Sequence, residues 1–381
     1  MRAGNDVVQV VGAGPAGLSA AVTLARAGRR VLVHEAQHEV GHRFGADLQG
    51  LENWSTEGDV LQELEEAGIT TAFEKSAFAR VTAFDAWDAA HEVRGARPIF
   101  YLVERGPGPG TLDSALLEQA RALGVEVRFG SRARRLDGPG IFAVGPKAAD
   151  AIAVGYHFET DMPDGAWIVL DDDVAPKGYA YLLVMGGRGT VKSCMFSGFR
   201  QERLYVERTL ERFWRLVGLE MRNPRFHGGA GNFFVPVTAV SGAHPVAGEQ
   251  AGFQDALAGF GMRYAIRSGI MAARALLGAG HYDSAWRPAF KLAIETSVVN
   301  RAVYARLGNG GYRRLLRIQA WTGDARSFLR WLYRPAVMRR ALFSWARRGY
   351  HSRREDRSRE HVDCTCVWCR GGGAGESRNA P

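Results

Sequence analysis

Glycines 12, 14 and 17 stand in the spacing Gly-x-Gly-x-x-Gly, and an acid, Glu35, follows 23 residues after the first of them. Between a strand and a helix each glycine has its own task. Gly12 permits a tight turn, Gly14 lets backbone come close to a pyrophosphate, and Gly17 lets helix and strand pack closely. Pro15 and Ala16 stand with these glycines as candidate cofactor-binding residues, and the helix that follows turns its free N–H groups and partial positive charge to the phosphates. Glu35, at the end of a second strand, is expected to accept hydrogen bonds from an adenosine ribose and to repel a 2′-phosphate, so the bound nucleotide is FAD or NAD rather than NADP. A second group, His361, Cys364, Cys366 and Cys369, offers four ligands within nine residues. Imidazole and thiolates so spaced suit tetrahedral zinc, or an iron–sulfur cluster if Cys194 or another ligand joins. The same residues also read as a redox-labile tail without metal.

These residues need elements to hold them. The apolar run 7–11 precedes the glycines, an alanine-rich stretch from 18 to 27 follows and stops at Gly28, and Val31-Leu32-Val33 leads to Glu35. This is a strand, glycine turn, helix, strand unit. Further strands are expected at 99–103, 125–129 and 141–144, with a helix at 112–123. From 151 to 198 the pattern turns β-rich, with segments at 151–160, 166–170, 179–185 and 190–196 separated by glycine-containing turns. A helix is expected near 201–217 and helices dominate from Gly252 to about Gly349. The reading is an α/β chain: a Rossmann-type FAD-binding domain with an inserted antiparallel β-rich substrate domain and a helical C-terminal region. Its segments are 1–150 (FAD-binding), 151–225 (β-rich, substrate), 226–300 (second FAD-binding segment and helix), 301–350 (basic, helical) and 351–381 (flexible tail with the cysteines).

The stretch Val246-Ala247-Gly248-Glu249-Gln250-Ala251-Gly252, followed by Gly259-Phe260-Gly261 and a helix, resembles the Gly-Asp-Ala-Ala motif and trailing Gly-x-Gly of p-hydroxybenzoate-hydroxylase-type flavoproteins. The resemblance implies that Glu249 holds a ribityl hydroxyl and that the helix after Gly261 points its N-terminus at the flavin. A helix N-terminus there would stabilise the negative charge of a reduced flavin. Within that superfamily the chain is similar to the geranylgeranyl reductase branch of NAD(P)/FAD-dependent oxidoreductases over about residues 7 to 300. The similarity rests on the N-terminal fingerprint, on Ile141-Phe142-Ala143-Val144-Gly145-Pro146 as a worn second nucleotide motif, on 176–181 and on the glutamate segment. Glu249 replaces the usual Asp, Tyr179-Ala180-Tyr181-Leu182-Leu183-Val184 replaces Tyr-x-Trp-x-Phe-Pro, and Phe44-Gly45 replaces a Cys-Gly pair.

The branch implies reduction of a carbon–carbon double bond in a hydrophobic, isoprenoid-like substrate, with NAD(P)H or a ferredoxin as electron donor. Its closest rivals are a monooxygenase of the same fold and a flavin electron-transfer or redox-sensing protein. Tyr179 and Tyr181 alternate on a strand and so share one face, where they either line a substrate channel and donate a proton or serve as ordinary sheet aromatics. Arg43 follows the first acidic strand, a place where related flavoproteins set a cation near the pyrophosphate.

The formal charge is +9, with 49 basic and 40 acidic residues, and the excess lies after residue 300. Between 315 and 345 Trp321, Phe328, Trp331, Leu332, Leu342, Phe343 and Trp345 are mixed with arginines at 326, 330, 334, 339 and 340. Arg326, Arg330 and Arg334 are expected on one helical face and Phe328, Trp331 and Leu332 on another. That pattern fits packing on the protein's own core or peripheral contact with a membrane. No apolar run is long enough for a spanning helix, the cysteine count excludes a secreted disulfide framework, and no nucleic-acid partner is expected. The chain reads as cytoplasmic, with contact at a membrane surface as the variant.

Overall fold

The computed structural model describes residues 7–146 and 149–349, together with Val367. The first unit is β1 (Val8–Val11), α1 (Pro15–Arg26) and β2 (Val31–His34), followed by β3 (Asp47–Glu52), α2 (Val60–Glu66), β4 (Lys75–Phe78), β5 (Arg80–Asp85), β6 (Ala90–Arg94) and β7 (Phe100–Arg105). Next come α3 (Leu112–Ala122), β8 (Glu126–Arg128) and β9 (Gly140–Phe142). Strands β8, β2, β1 and β9 form a parallel sheet in that order, with Val8 opposite Val31 and Gln9 opposite Gly140. α1 begins with Pro15 at its first position, where the missing N–H costs nothing, and buries Leu18, Ala20, Ala21, Val22 and Leu24 against the sheet. Antiparallel strands β3, β7 and β4 make a separate three-stranded sheet.

The β-rich part contains β10 (Ala151–Glu159), β11 (Gly165–Leu170), β12 (Tyr179–Met185) and β13 (Arg188–Met195), then α4 (Glu202–Val217) and β14 (Arg222–Gly231). Its sheet has seven strands, ordered β14-β10-β13-β12-β11-β5-β6. It therefore draws on chain outside 151–225: β5 runs parallel to β11, with Trp167 opposite Thr82, and closes the edge that β11 would otherwise leave open. The reason is burial, since Ala83 and Phe84 are inside, in contact with the sheet's own core.

A short hairpin, β15 (Val240–Ser241) and β16 (His244–Pro245), returns the chain to the parallel sheet, where Val246 bridges Phe142 and the Ala247 amide donates to the Phe142 carbonyl at 2.8 Å. α5 (Met262–Leu276) then lies on α1 so closely that a Cβ on Gly269 would meet the Ala16 carbonyl oxygen at 2.0 Å. The remaining helices are α6 (Tyr282–Trp286), α7 (Leu292–Trp321), which leaves helical geometry at Gly308, α8 (Ala325–Tyr333) and α9 (Val337–Ala346). Asp324 caps α8, accepting from the Ser327 amide at 2.8 Å.

In α8 Phe328 is buried and Leu329 and Leu332 pack on the cluster around Trp54, Ile99 and Phe100, so this part of the face belongs to the core, whereas Trp331, expected on the same face, is exposed. Arg326 departs from the expected exposed basic face. It is buried, and its guanidinium donates to the carbonyls of Asn53, Thr56, Glu57 and Gly58. Several planar N–H donors matched to a row of carbonyls offset the cost of burying its charge.

Candidate functional site: a nucleotide cradle beside a buried ion cluster

Gly12 turns the chain out of β1 with φ +105°, and a Cβ there would strike the Ala143 carbonyl oxygen at 2.2 Å. A Cβ on Gly17 would strike the Gly12 oxygen at 1.8 Å, so that glycine is required by the packing of α1 on the loop. Gly14 differs: a Cβ there would meet nothing within 4 Å. It caps α1 in extended conformation, and its surroundings are the open cradle a phosphate needs. Glu35 braces this loop, its carboxylate accepting from the Ala13 amide at 2.7 Å and the Gln37 amide at 2.9 Å. Each oxygen keeps a lone pair for a ribose hydroxyl.

Three distant segments converge on the cradle. Residues 141–144 lie between the fingerprint and the 246–250 segment, and the Val144 amide donates to Gln250 Oε1 at 2.9 Å. Gly248 sits against α1, where a Cβ would approach the Ala16 methyl at 3.0 Å. Glu249 meets Arg43, with Nη1 at 3.2 Å from Oε2, and its other oxygen accepts from the Asn232 amide at 3.3 Å. Arg43 also donates to the Ala230 carbonyl. The structure thus brings Arg43 and Glu249 into one ion pair, and a ligand hydroxyl at Glu249 would share the carboxylate with it. Gly259 is held by Gln254 Nε2 on its carbonyl at 3.0 Å, and Gly261 caps α5. Phe44, in the place of the branch's cysteine, lies under Arg105, whose guanidinium carbon is 4.1 Å from the ring centre.

Tyr179 and Tyr181 do share a face of β12, their ring centres 6.0 Å apart. The Tyr179 hydroxyl donates to the Ala258 carbonyl, so its proton is already engaged. Tyr181 packs with Leu257 and Phe260 on the apolar cluster that includes Trp54 and Tyr333. Burial pushes both phenols far above their ordinary range, and they remain protonated. Nearby, Asp255 is buried, accepts from the amides of Leu257 and Ala258 and from the Tyr333 hydroxyl at 3.0, 2.8 and 2.9 Å, and is pushed up to about 6 by burial. His361, Cys364, Cys366 and Cys369 lie outside the described residues. Cys194 is buried in β13, and burial pushes its thiol up to about 11, so it is not a ready thiolate.

A second cluster lies just beyond Arg43. Asp47, at the start of β3, pairs with Lys192 of β13 at 2.7 Å, and both are almost fully buried. Lys192 Nζ lies 3.0 Å from His227 Nδ1, and His227 Nε2 lies 2.8 Å from the Arg43 carbonyl oxygen. Since a carbonyl only accepts, Nε2 carries the proton and Nδ1 receives from the lysine. His157 Nδ1 donates to the Gly45 carbonyl at 3.0 Å and its Nε2 stands 3.2 Å from Asp47 Oδ1. Desolvation opposes the Asp47 charge, but Lys192 and the histidines overcome it and hold the carboxyl well below its usual range. His227 is lowered to about 4 by burial and the neighbouring ammonium. Asp47, His157 and His227 bring three donor atoms within 4.8 Å of one another, a spacing that suits a metal ion. The Lys192 ammonium already supplies the cation there. No motif spacing links residues 47, 157, 192 and 227, which is why the cluster is invisible before folding.

A surface cleft of about 540 Å³ lined by Arg26, Gly68, Thr70 and Glu118 lies at the other end of α1, roughly 16 Å from the cradle. It has no part in the chemistry above.

A family model described as NAD(P)-binding Rossmann-like domain matches residues 10–46. No curated protein matches the chain. Among solved structures, a geranylgeranyl bacteriochlorophyll reductase-like protein from Thermoplasma acidophilum superposes with a TM-score of 0.68 at 18% identity, covering 92% of this chain and 97% of the other. The flavin-dependent brominase Bmp2 gives 0.59 at 14% identity, covering 90% and 99%. The p-nitrophenol 4-monooxygenase PnpA from Pseudomonas putida DLL-E4 gives 0.55 at 14%, covering 83% and 98%. The chain therefore has the fold of the FAD-dependent oxidoreductases, with an N-terminal Rossmann-like nucleotide-binding unit.

Proposed function

We propose that the chain is an FAD-dependent oxidoreductase that reduces a carbon–carbon double bond of a hydrophobic, isoprenoid-like substrate. The observation that carries the cofactor assignment is the meeting of two glycine segments, 12–17 and 248–261, across the contact of α1 with α5. One dinucleotide can then touch both, its pyrophosphate at Gly14 and α1, its adenosine ribose at Glu35, and its ribityl chain at Glu249 beside Arg43. Bound FAD would supply hydride for one alkene carbon while a proton reaches the other. The residues of this chain bind and orient. The first helical N–H groups of α1 hold the phosphates, Arg43 keeps Glu249 in place, and the apolar cluster of Tyr181, Leu257, Phe260 and Trp54 is the wall against which an apolar substrate would lie. Support for a reductase comes from the likeness to the Thermoplasma acidophilum protein.

The test begins with the purified protein, expected to be yellow and to release FAD. After anaerobic photoreduction, rapid reoxidation by a polyprenyl compound with slow reoxidation by air supports the reductase. Rapid oxygen consumption coupled to substrate hydroxylation overturns it in favour of a monooxygenase, and absence of bound flavin overturns the cofactor assignment itself.

A further inference from the structure

We infer that α9, with the exposed end of α8, is a docking surface for an anionic lipid bilayer. This inference stands apart from the nucleotide site. Between residues 325 and 349 the chain carries seven arginines and no acid. Val337, Met338 and Trp331 are 84%, 72% and 59% exposed, values that buried or merely edge-packed apolar side chains do not reach. Met338, Leu342 and Trp345 stand at i, i+4 and i+7 and so share the outer face of α9, while Phe343 and Ala346 pack inward on Val298, Val299 and Ala302. The indoles are braced at the surface. Arg306 of α7 lies 4.4 Å over the Trp345 ring, and Arg339 lies 5.5 Å over Trp331 and donates to its carbonyl at 3.1 Å. Among the described residues, Arg334, Arg340, Arg347 and Arg348 make no ion pair with a carboxylate.

Two different needs meet on this face. The aliphatic and indole side chains gain from an apolar phase, and the arginines gain from anionic oxygens close by. A bilayer surface with anionic headgroups offers both within about 5 to 10 Å of depth. A second copy of the chain brings the same positive face to itself, so charge opposes pairing across it. Residues 350–381 hold six arginines and five acids and have almost no net charge to complement the patch. Nucleic acid would pair with the arginines but leave Val337, Met338 and Leu342 against a polar surface. No helix among the described residues is long and apolar enough to cross a membrane, so the contact lies along the surface.

The experiment is co-sedimentation of the full chain with vesicles of phosphatidylcholine alone and of phosphatidylcholine mixed with phosphatidylglycerol. The expected result is at least about tenfold stronger partition onto the anionic vesicles, since each arginine near such a surface contributes about fivefold, and a decline in high salt. The triple variant Arg340→Gln, Arg347→Gln, Arg348→Gln should lose the preference for anionic lipid. The double variant Val337→Ser, Met338→Ser, which alters only exposed side chains, should bind about tenfold more weakly with an unchanged melting temperature. Equal partition onto both vesicle types, absence of partition, or full anionic binding by the serine variant overturns the inference. Self-association in sedimentation velocity that the serine variant abolishes also overturns it and assigns the face to a second copy. Capture of a soluble acidic protein in place of vesicles assigns it to a protein partner.

Discussion

Two glycines three residues apart should answer the same substitution in opposite ways. Alanine at 17 places a Cβ 1.8 Å from the Gly12 carbonyl oxygen and 3.0 Å from its carbon, and both belong to backbone that β1 and α1 hold in place. Relief requires separating helix from loop, an overpacking cost of about 3 kcal/mol or more, which in a chain of this size lowers the melting temperature by about 5 °C. Alanine at 14 meets nothing, and the backbone there, φ −79° and ψ −179°, is open to any residue. Its only structural cost is replacement of a tolerated cap residue by a poorer one, about 0.5 to 1 kcal/mol, or about 1 to 2 °C. The methyl group instead enters the space where a pyrophosphate would lie. Loss of one charge-assisted backbone contact, about 1.5 to 3 kcal/mol, raises the FAD dissociation constant about 10- to 150-fold. Calorimetry of the flavin-free variants and fluorescence titration with FAD separate the two effects. Wild-type FAD affinity in Gly14→Ala, or a wild-type melting temperature in Gly17→Ala, would refute the assignment of open cradle to one and close packing to the other.

Glu35→Gln should weaken FAD binding by about 1.5 to 3 kcal/mol while keeping the brace on Ala13, and equal dissociation constants would remove Glu35 from the ribose site. Lys192→Met leaves the Asp47 carboxylate buried without its cation and should cost about 3 to 5 kcal/mol in denaturant melts, most of it recovered by adding Asp47→Asn; simple additivity of the two losses would sink the pairing. His227 should make the protein lose stability as the pH falls. Its folded value of about 4 lies below the ordinary 6.5, so between those values the unfolded chain takes up a proton that the native state refuses. The loss should reach about 2 to 3 kcal/mol by pH 4, and His227→Gln should flatten this part of the stability curve; an unchanged slope would show that the histidine is not held neutral.

The nucleotide cradle was legible because its parts are local. An apolar strand, three glycines and an alanine-rich helix occupy about twenty consecutive positions, although the helix begins at Pro15 rather than at the expected Leu18, because proline is favoured at a first helical position. The return segment was legible only through Gly248, Glu249 and Gly261, whose spacing is again short. What escaped was non-local or half-exposed. β6 reads Ala-His-Glu-Val-Arg with alternating intermediate and exposed positions, too polar to announce a strand, and β5 finds its partner β11 across about eighty residues of chain. Asp47, His157, Lys192 and His227 each sit alone in their strands, so no pattern foretold a salt-bridged cluster. Arg326 shared a helical row with Arg330 and Arg334, yet the carbonyls of 53–58 claimed it, a tertiary choice that helical periodicity does not contain.

The contact of α1 with α5 also sets a timetable for biosynthesis. Ala16 waits for Gly269, and at about 5 to 20 residues per second the two are synthesised about 13 to 50 s apart. During that interval the newborn chain has its fingerprint but lacks Glu249 and the helix that covers α1, and the parallel sheet lacks its bridge to Val246. On the proposed cofactor assignment, FAD capture thus waits until residues 249 to 276 have been synthesised. Fragments that stop near residue 150 should be recovered as aggregates without flavin.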